Sequence, residues 1–495
     1  MPEYKTETSN KDPDGRPCIR TFDIFDTLIA RRCIQPVDIF RQIEEKSGVE
    51  NFSSIRRQAE QNVIHGPHDL DVIYTEIARL MGTSPQALTP IKRMEIDIEL
   101  ENVIPILENI NQVRHGDVLI SDMYLNKEHI LDLLDKAGCQ RKTGLIVSNS
   151  GKRDGYIWPE ISSKVKIEQH LGDNSHSDVE MPRSFAIPAV HTKISEPSVI
   201  EDAFIKVGVP QLGQLCRELR LRTWSANPDL RTVQLIQANL NFPLFLLASV
   251  ALARVAEKLN KRSILFSSRD CDMWLPLFTE MSRRLGRTFD STYFYTSRVT
   301  KINPSHDYME YGRRLITDDA LIVDICGTGW SIAHFLEKLG LKNIPVLMLH
   351  KLPPAEAYEA IAKTPHSCNF YSIVNQERHD FANTILEMCN YSDHTMVTDI
   401  LISKGNIIPV LSKETRTPHE LECIKSQKDV FKLGLSLLQD HYNLYDVLSL
   451  DMNSIVQFCE YIYAELSTQQ VLRNIYGKSH NHEENEIRKS ISRKR

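Results

Sequence analysis

The sequence has no C-x-x-C motif, although it contains ten cysteines, which lie far apart along the chain. Its first residues, Met1–Arg16, are polar and lack the apolar stretch of a signal peptide. Dispersed cysteines without a secretion signal indicate free thiols in a reducing compartment. We therefore expect a cytoplasmic protein.

The sequence also lacks a long hydrophobic run and a large excess of one charge. Its longest nearly apolar stretch, from Phe242 to Ala253, is shorter than the roughly 20 residues that cross a bilayer, so it predicts a buried helix. The formal net charge is -6 and the isoelectric point is about 6.3, which gives no general attraction to nucleic acid or to anionic membranes. We expect neither as a partner, whereas an oligomer is compatible with the sequence.

Acids and hydroxyls follow three short apolar stretches. Asp23 stands within the first, Thr21–Leu28, while Ser121 and Asp173 follow the second and third, and Asp178 lies just beyond. Parallel strands bring residues in such positions to one edge of a sheet. These residues are therefore candidates for one shared site.

Hydrophobic periodicity predicts an α/β fold for the first part of the chain. After a flexible lead-in over residues 1–18, a strand begins, and a helical pattern without strands then runs from Pro36 to about Ile106. Strands and helices alternate from there to a last strand near Ala186–Val190, which predicts a parallel sheet with a helical cap inserted after its first strand. We place this domain at residues 19–205 and its cap at about 33–110, over the carboxyl ends of the strands.

A second α/β series follows a predicted linker at residues 206–231. Its strands are expected at Ser263–Phe266, Ser291–Tyr295, Ala320–Ile325 and Ile344–Leu349. This domain would span residues 232–410, followed by a helical region at 411–477 and a disordered polar tail at 478–495. A chain of 495 residues with 41% hydrophobic and 25% charged residues is long enough for two or three such domains.

The first set of residues resembles the motif set of the haloacid dehalogenase superfamily, in its type 1 capped form. A single D-x-x-D-T after a strand is commonly only a turn or a cap, but here three motifs follow in the family's order. The resemblance implies a nucleophile at Asp23, a phosphate-binding hydroxyl at Ser121, a neutralising cation at Lys152, and Mg²⁺ held by Asp23, Asp173 and Asp178. The chemistry is sensible, because a carboxylate attacking a phosphoryl dianion needs a cation and a metal nearby, and Mg²⁺ prefers oxygen ligands.

One position departs from the phosphatases of that family. They carry a second Asp two residues after the nucleophile, as acid and base, whereas this sequence has Phe25 there and its next acid at Asp26. General acid catalysis contributes roughly 10² to 10⁴ in rate. Three possibilities stay open: slow turnover, a substrate with an activated leaving group, or binding without turnover.

A second candidate site follows the predicted strand Ala320–Ile325. It resembles the 5-phosphoribosyl-1-pyrophosphate loop of type I phosphoribosyltransferases, although Val323 replaces the first of that family's two acids. The resemblance implies that phosphate and ribose are bound by Asp324, Gly327, Thr328, Gly329, Ser331 and, from an earlier loop, Arg269. Two alternatives remain: a turn that only connects strand and helix, and a nucleotide loop, which would lack the third Gly of the dinucleotide fingerprint.

Two functions follow from these resemblances. The leading hypothesis is a Mg²⁺-dependent phosphohydrolase that acts on a phosphorylated nucleotide or sugar. The alternative is a sensor or regulatory protein that binds phosphorylated metabolites at both sites with little turnover, as Phe25 and Val323 favour.

Overall fold

A computed structural model describes residues 12–13, 15–66, 68–140, 143–352, 368–374 and 382–492. Most of the predicted lead-in, including residues 1–11, lies outside the described residues. The chain forms two compact units, each of which is α/β. The first unit comprises Met1–Ser198 and Leu221–Trp224, and the second comprises Val199–Arg220 and Ser225–Arg495.

The first unit is built on a parallel sheet of five strands. They are β1 (Cys18–Phe22), β4 (Val118–Asp122), β5 (Gly144–Ser148), β6 (Lys166–Gly172) and β7 (Ala189–His191). Their order is β5-β4-β1-β6-β7, and all neighbouring pairs are parallel. This order reverses direction between β1 and β6, and ligands of open α/β sheets bind at the carboxyl ends of strands at such a reversal.

The helices of this sheet domain are short and follow the predicted alternation. They are α5 (Leu107–Ile110), α6 (Lys127–Lys136), α7 (Ile157–Ser162) and α8 (Met181–Ser184).

The helical cap lies between two short strands that the sequence pattern does not reveal. Its helices are α1 (Pro36–Ser47), α2 (Phe52–Val63), α3 (Leu70–Met81) and α4 (Thr89–Asn102). The strands β2 (Ile29–Arg31) and β3 (Val103–Pro105) pair in antiparallel fashion at its base. The expectation of uninterrupted helix to Ile106 was therefore wrong, because three-residue strands are too short to produce a period of two.

The cap contacts the loops at the carboxyl edge of the sheet, as expected. Asn149, after β5, donates a hydrogen bond to the carbonyl of His68. The carbonyl of Tyr124, after β4, accepts a hydrogen bond from the backbone N–H of Leu70, at 3.1 Å. The cap therefore covers the edge to which β1 delivers Asp23.

A buried charge holds the cap together. Arg56 is fully buried and forms a two-pronged hydrogen bond with Glu95, which also accepts a hydrogen bond from the hydroxyl of Tyr74 at 2.8 Å. The guanidinium lies between the rings of Phe40 and Tyr124, 4.5 and 4.7 Å from their centroids. A buried ion pair of this kind is stabilising only while both partners are present.

Arg56→Met is therefore expected to lower the free energy of unfolding by about 3–5 kcal/mol, because it leaves Glu95 buried without its cation. Urea titration followed by circular dichroism measures the loss. Arg79→Met removes an exposed cation paired with Glu76 and should change the free energy of unfolding far less, because solvent screens an exposed pair. Equal losses in the two variants would contradict this account of the cap.

The second unit contains another parallel sheet of five strands. They are β8 (Ser263–Ser267), β9 (Asp290–Phe294), β10 (Ala320–Gly327), β11 (Ile344–Lys351) and β12 (Cys368–Val374). Their order is β12-β11-β10-β8-β9, with every pair parallel. The four predicted strands are confirmed, and the edge strand β12 was not foreseen. The reversal of order falls between β8 and β10.

An antiparallel pair and thirteen helices complete the described part of this unit. The pair is β13 (Val397–Ser403) and β14 (Asn406–Leu411). The helices are α9 (Val199–Lys206), α10 (Pro210–Leu221), α11 (Pro228–Ile236), α12 (Phe242–Lys258), α13 (Trp274–Arg284), α14 (Arg298–Ile302), α15 (His306–Leu315), α16 (Trp330–Leu339), α17 (Ala382–Cys389), α18 (Pro418–His441), α19 (Tyr445–Leu448), α20 (Met452–Ser467) and α21 (Val471–Ser492). The predicted helical region near the carboxyl terminus is present.

One helix among the described residues is long and apolar enough to cross a membrane. This run, Pro228–Lys258, has 89% of its most apolar window buried inside the protein. Every residue from Phe242 to Ala253 is buried, which confirms the predicted buried helix.

The predicted linker at residues 206–231 is wrong. It contains α10 and the start of α11, and the chain passes from the first unit to the second after Ser198 and returns to the first only over Leu221–Trp224. The helical period is obscured because α10 buries charged side chains along with its leucines; one of them, Arg220, pairs with Glu201 at 2.7 Å. Its fully buried leucines are Leu212, Leu215 and Leu219.

The disordered tail predicted at residues 478–495 is also contradicted, as far as Ser492. Those residues continue α21, and two of their acids, Glu483 and Glu484, pair with arginines of the same unit. Ion pairs and not apolar contacts hold most of this segment, which explains its polar composition. Among residues 478–489, only Ile487 is buried.

Candidate active site

Asp23 stands where β1 ends beside β6. Its backbone N–H donates to the carbonyl of Leu171 at 2.8 Å, so the chain stays attached to β6 one residue beyond the strand. The chain then turns sharply, with Asp26 in the left-handed region (φ 57°) and the carbonyl of Ile24 accepting hydrogen bonds from Leu28 and Ile29. This turn leaves Asp23 at the carboxyl edge of the sheet.

The carboxylate of Asp23 is buried, and only one of its oxygens is paired. Oδ1 accepts a hydrogen bond from Nζ of Lys152, whereas Oδ2 is buried without a hydrogen-bond partner. Burial raises the pKa of Asp23 to about 8, against the opposing effect of the Lys152 charge. A buried carboxylate oxygen without a partner is costly unless a ligand completes it.

Lys152 connects two of the predicted site acids. Its Nζ donates to Asp23 and also to Asp178, at 2.7 Å, and the residue is 3% exposed. Asp122, which the sequence did not single out, accepts hydrogen bonds from the backbone N–H groups of Lys152 and Arg153 at 3.0 and 3.1 Å. The loop after β5 is thereby held so that the ammonium points into the cluster.

Asp23, Asp173 and Asp178 form one acidic cluster, with an oxygen of each within 4.8 Å of the others. Asp173 directly follows β6, and Asp178 lies in a helical turn, Ser175–Glu180, that is capped by the side chain of Asn174. Burial, together with the charges of Asp26 and Asp178, raises the pKa of Asp173 to about 6. The cluster can bind a metal ion, as the sequence predicted.

His170 is a site residue that sequence reasoning missed. It is fully buried in β6, with Nε2 3.2 Å from Oδ1 of Asp178 and Nδ1 2.9 Å from the hydroxyl of Thr21. Burial lowers the pKa of this histidine, which favours a neutral ring that donates from Nε2 to Asp178. The only sequence signal is a histidine within an otherwise apolar strand.

Asp178 keeps a low pKa in this setting. Its burial opposes ionisation, but the hydrogen bond from His170 and the charge of Lys152 outweigh it and hold the pKa below the usual range. Asp178 is therefore ionised at pH values at which Asp23 still holds a proton.

No protein-family model matches this chain, and no curated protein matches it.

Ser121 is buried, 2% exposed, near the carboxyl end of β4. This strand pairs with β1, which brings Ser121 to the same edge as Asp23. Within the described residues, no hydrogen bond joins Ser121 to Asp23 or Lys152. Its place near the site follows from strand order alone.

Phe25 occupies a well-defined environment. The guanidinium of Arg31 lies 4.8 Å from the centroid of its ring, and that guanidinium binds Glu99 of the cap with hydrogen bonds of 2.8 and 2.9 Å. The side chain at this position is therefore packed against a fixed cation.

The predicted residues of the second unit lie around the carboxyl ends of β8 and β10. Asp324 lies inside β10 and accepts a hydrogen bond from the backbone of Ile325; Gly327 ends the strand, and Gly329 precedes α16. Gly329 has φ 75°, and a Cβ there would lie 2.3 Å from the ring of Phe370, so the tight turn requires glycine. Thr328 Oγ1 accepts from the N–H of Trp330 at 3.3 Å, and Ser331 is in the first turn of α16.

Gly172 provides a test of the acidic cluster. A Cβ at this position would lie 2.4 Å from Cβ and Cγ of Asp178, so Gly172→Ala must displace that carboxylate. We expect the affinity for Mg²⁺, measured by calorimetry, to fall about 10- to 100-fold. Gly66→Ala, where a Cβ has only one distant neighbour, should leave the affinity unchanged. Unaltered binding in Gly172→Ala would remove Asp178 from the proposed metal site.

Proposed function

We propose that the first unit is a Mg²⁺-dependent phosphohydrolase of the haloacid dehalogenase type, acting on a phosphorylated nucleotide or sugar. The observation that carries this proposal is the state of Asp23, which has one oxygen on Lys152, the other without a partner, and two further carboxylates beside it. The free thiols of all ten cysteines favour a reducing, cytoplasmic setting.

The donor set fits a hard divalent cation. Lys152 offsets one of the three carboxylates when all are ionised and leaves two negative charges, those that a divalent ion neutralises. Carboxylate oxygens are the ligands of Mg²⁺, and no thiol or imidazole is among the three donors. Asp23, Asp173 and Asp178 would hold the ion, which would offset charge on the phosphoryl oxygens and keep Asp23 ionised.

In this proposal the phosphate ester or anhydride is cleaved in two steps. In the first, an oxygen of Asp23 forms a bond to phosphorus while the bond from phosphorus to the leaving oxygen breaks, and the leaving group takes the electron pair. In the second, water attacks the phosphorus of the aspartyl-phosphate, and the bond from phosphorus to the Asp23 oxygen breaks with its electron pair, which restores the Asp23 carboxylate. The phosphate departs with both protons of the water, because the phenyl ring of Phe25 takes up none. Lys152 offsets the charge of the phosphoryl group, and Ser121 donates its hydroxyl to a phosphoryl oxygen.

Phe25 and Arg31 restrict the substrate. A phenyl ring provides no proton for the leaving group, and the adjacent guanidinium would keep a carboxylic acid at this position ionised. Leaving groups that are stable as anions are therefore favoured. Within the proposed substrate class, nucleotides with phosphoanhydride bonds meet this condition better than sugar phosphates, whose leaving groups are alkoxides.

Asp23→Asn is expected to abolish Mg²⁺-dependent phosphate release from nucleotide di- and triphosphates, because the amide is a poor nucleophile. Wild-type rates on these substrates should exceed those on sugar monophosphates by about 10² or more. Asp132→Asn, at an exposed position of α6, is the matched control and should keep full activity. The measurement is phosphate release across a substrate panel with and without Mg²⁺.

A second candidate function is a metabolite sensor with little turnover. The observations that favour it are Phe25 at the acid position and a burial-raised pKa of Asp23, both of which oppose catalysis. It requires ligands at both units, and in the second unit the loop from Gly327 to Gly329 lies at the reversal of strand order, where ligands of α/β sheets bind. No turnover on any panel substrate, together with tight metabolite binding, would replace the enzyme proposal with this one.

The ligand proposed for the second unit is 5-phosphoribosyl-1-pyrophosphate or a related ribose phosphate. Asp324→Asn and Thr328→Val should each weaken its binding about 5- to 100-fold, by removing a ribose contact and a phosphate contact. Calorimetry on the full chain measures this, with Thr279→Val on the exposed face of α13 as control. Binding that is insensitive to both substitutions would remove this ligand from the second unit.

A further inference from the structure

Helix α21 places two carboxylates on arginines at the carboxyl edge of the second sheet. Glu483 pairs with Arg269, which follows β8, at 2.7 Å. Glu484 binds Arg298, which follows β9, through two hydrogen bonds of 2.9 and 3.0 Å. Two neighbouring strand ends therefore each present a guanidinium that is occupied by an acid of the same helix.

A third cation at this edge is buried and has no partner. Lys301 is 7% exposed, and its ammonium makes no hydrogen bond or ion pair with any described residue. Its charge interacts with Asp324, Asp270 and Arg298, so it lies near them, at the reversal of strand order where an open α/β sheet forms its crevice. Burial lowers the pKa of this lysine, since nothing close enough compensates its charge.

A hydroxyl without a partner lies on the same side of the sheet. Val323 of β10 is in register with Phe266 of β8, so the next residues, Asp324 and Ser267, lie side by side on one face. Ser267 is 1% exposed, and its Oγ has no hydrogen-bond partner. A largely buried lysine without an ion-pair partner among the described residues, beside a buried hydroxyl without a hydrogen-bond partner, is an environment that a polar ligand would complete.

We propose that this crevice binds a small molecule with two phosphate groups through Arg269, Arg298 and Lys301, and that Glu483 and Glu484 occupy the two arginines until the ligand displaces them. The proposal shares with the ribose phosphate proposal only the premise that phosphate binds at this edge, and it is independent of chemistry at Asp23.

The carboxylates of Glu483 and Glu484 can occupy the two arginines in place of phosphate groups and can be displaced by them. Each offers two oxygens to a guanidinium, as a phosphate group does, but with one negative charge instead of up to two. The Arg298–Glu484 pair is partly exposed, with the Arg298 side chain 40% exposed, and exposed pairs are weak. The Arg269–Glu483 pair is more enclosed, with side chains 15% and 23% exposed. Two pairs of the exposed kind would reduce the affinity for a competing ligand by roughly 2- to 30-fold, and the enclosed pair adds to this.

The inner half of the helix is anchored more firmly than the outer half. Leu472 and Tyr476 are buried in the main core of the unit. Between 478 and 489 the single buried residue is Ile487, which packs in a small cluster with Val299 and Met396, and His480 lies 2.8 Å from the hydroxyl of Tyr391. Gly477 separates these halves within the helix, and a Cβ there would meet no atom within 4 Å. A glycine inside a helix weakens it, which makes this the natural position for the outer half to separate.

The crevice also contains acids, and burial keeps them from opposing an anion. Burial raises the pKa values of Asp270, Glu387 and Asp324, and the charge of Glu387 adds to the effect on Asp270. In protonated form these groups donate hydrogen bonds to phosphate oxygens, and in either form they bind hydroxyls. A diphosphate carrying a sugar therefore fits the crevice.

The test is calorimetric titration of the full chain with inorganic pyrophosphate, without divalent metal. Glu483→Gln/Glu484→Gln should bind pyrophosphate about 10-fold more tightly than the wild type, and Lys301→Met in that background should weaken binding at least 10-fold. Gly477→Ala should weaken wild-type binding by up to about 5-fold, because alanine stabilises the closed helix. Glu486→Gln, whose acid pairs with Lys489 on the same helix, is the control and should change nothing.

Hydrogen exchange on the wild type gives an independent readout that does not depend on the folding of a variant. Saturating pyrophosphate should increase amide exchange in residues 478–489 and leave 471–476 protected. The proposal is overturned by absence of pyrophosphate binding, by a double variant that binds no more tightly, or by binding that ignores Lys301. If ribose phosphate binding is insensitive to Asp324→Asn and Thr328→Val while pyrophosphate binding responds to Lys301→Met and to the double variant, only the ribose phosphate proposal fails.

Discussion

The buried ammonium of Lys152 is the interaction on which the first site depends. Three carboxylates with oxygens within 4.8 Å of one another, at a largely buried sheet edge, would otherwise repel and take up protons. Lys152 touches two of them, Asp23 and Asp178, and Asp122 fixes its loop. Two further residues position Asp178. His170 lies within hydrogen-bonding distance of the Asp178 carboxylate, and Gly172 leaves the space that this carboxylate fills.

In each unit the candidate site lies at the carboxyl edge of that unit's own parallel sheet, but the buried groups that lack a partner carry opposite charges. In the first, a buried carboxylate oxygen of Asp23 has no partner, which favours a cation. In the second, the buried ammonium of Lys301 has no partner among the described residues, which favours an anion. Asp23 lies where strand order reverses, and the charge of Lys301 interacts with Asp324 of β10, which borders the reversal in the second sheet. The parallel sheet therefore supplies the location and the individual side chains supply the chemistry.

The strands and the acidic cluster were predictable because apolar strands followed by acids are local patterns. Other elements depend on pairing between distant residues, which a periodic pattern does not record. The helix α10 was hidden by buried charges such as Arg220, and the outer half of α21 looked like a solvated tail because its acids give no sign of the arginines they bind. His170 and Asp122 were missed for the same reason, since their roles come from contacts with Asp178 and with the Lys152 loop.

The contact between Phe25 and the cap gives a structural reason for a phenyl ring at position 25, where phosphatases of the haloacid dehalogenase superfamily carry an acid. Glu99, on the last cap helix, holds Arg31 in a two-pronged ion pair, and Arg31 lies against the Phe25 ring. An acid at position 25 would compete with Glu99 for that cation and would lose the proton that a leaving group requires. The packing of the cap and general acid catalysis are therefore in conflict at this position. Phe25 resolves the conflict in favour of packing. In the phosphohydrolase that we propose, the leaving group would therefore have to depart as an anion without receiving a proton from this position.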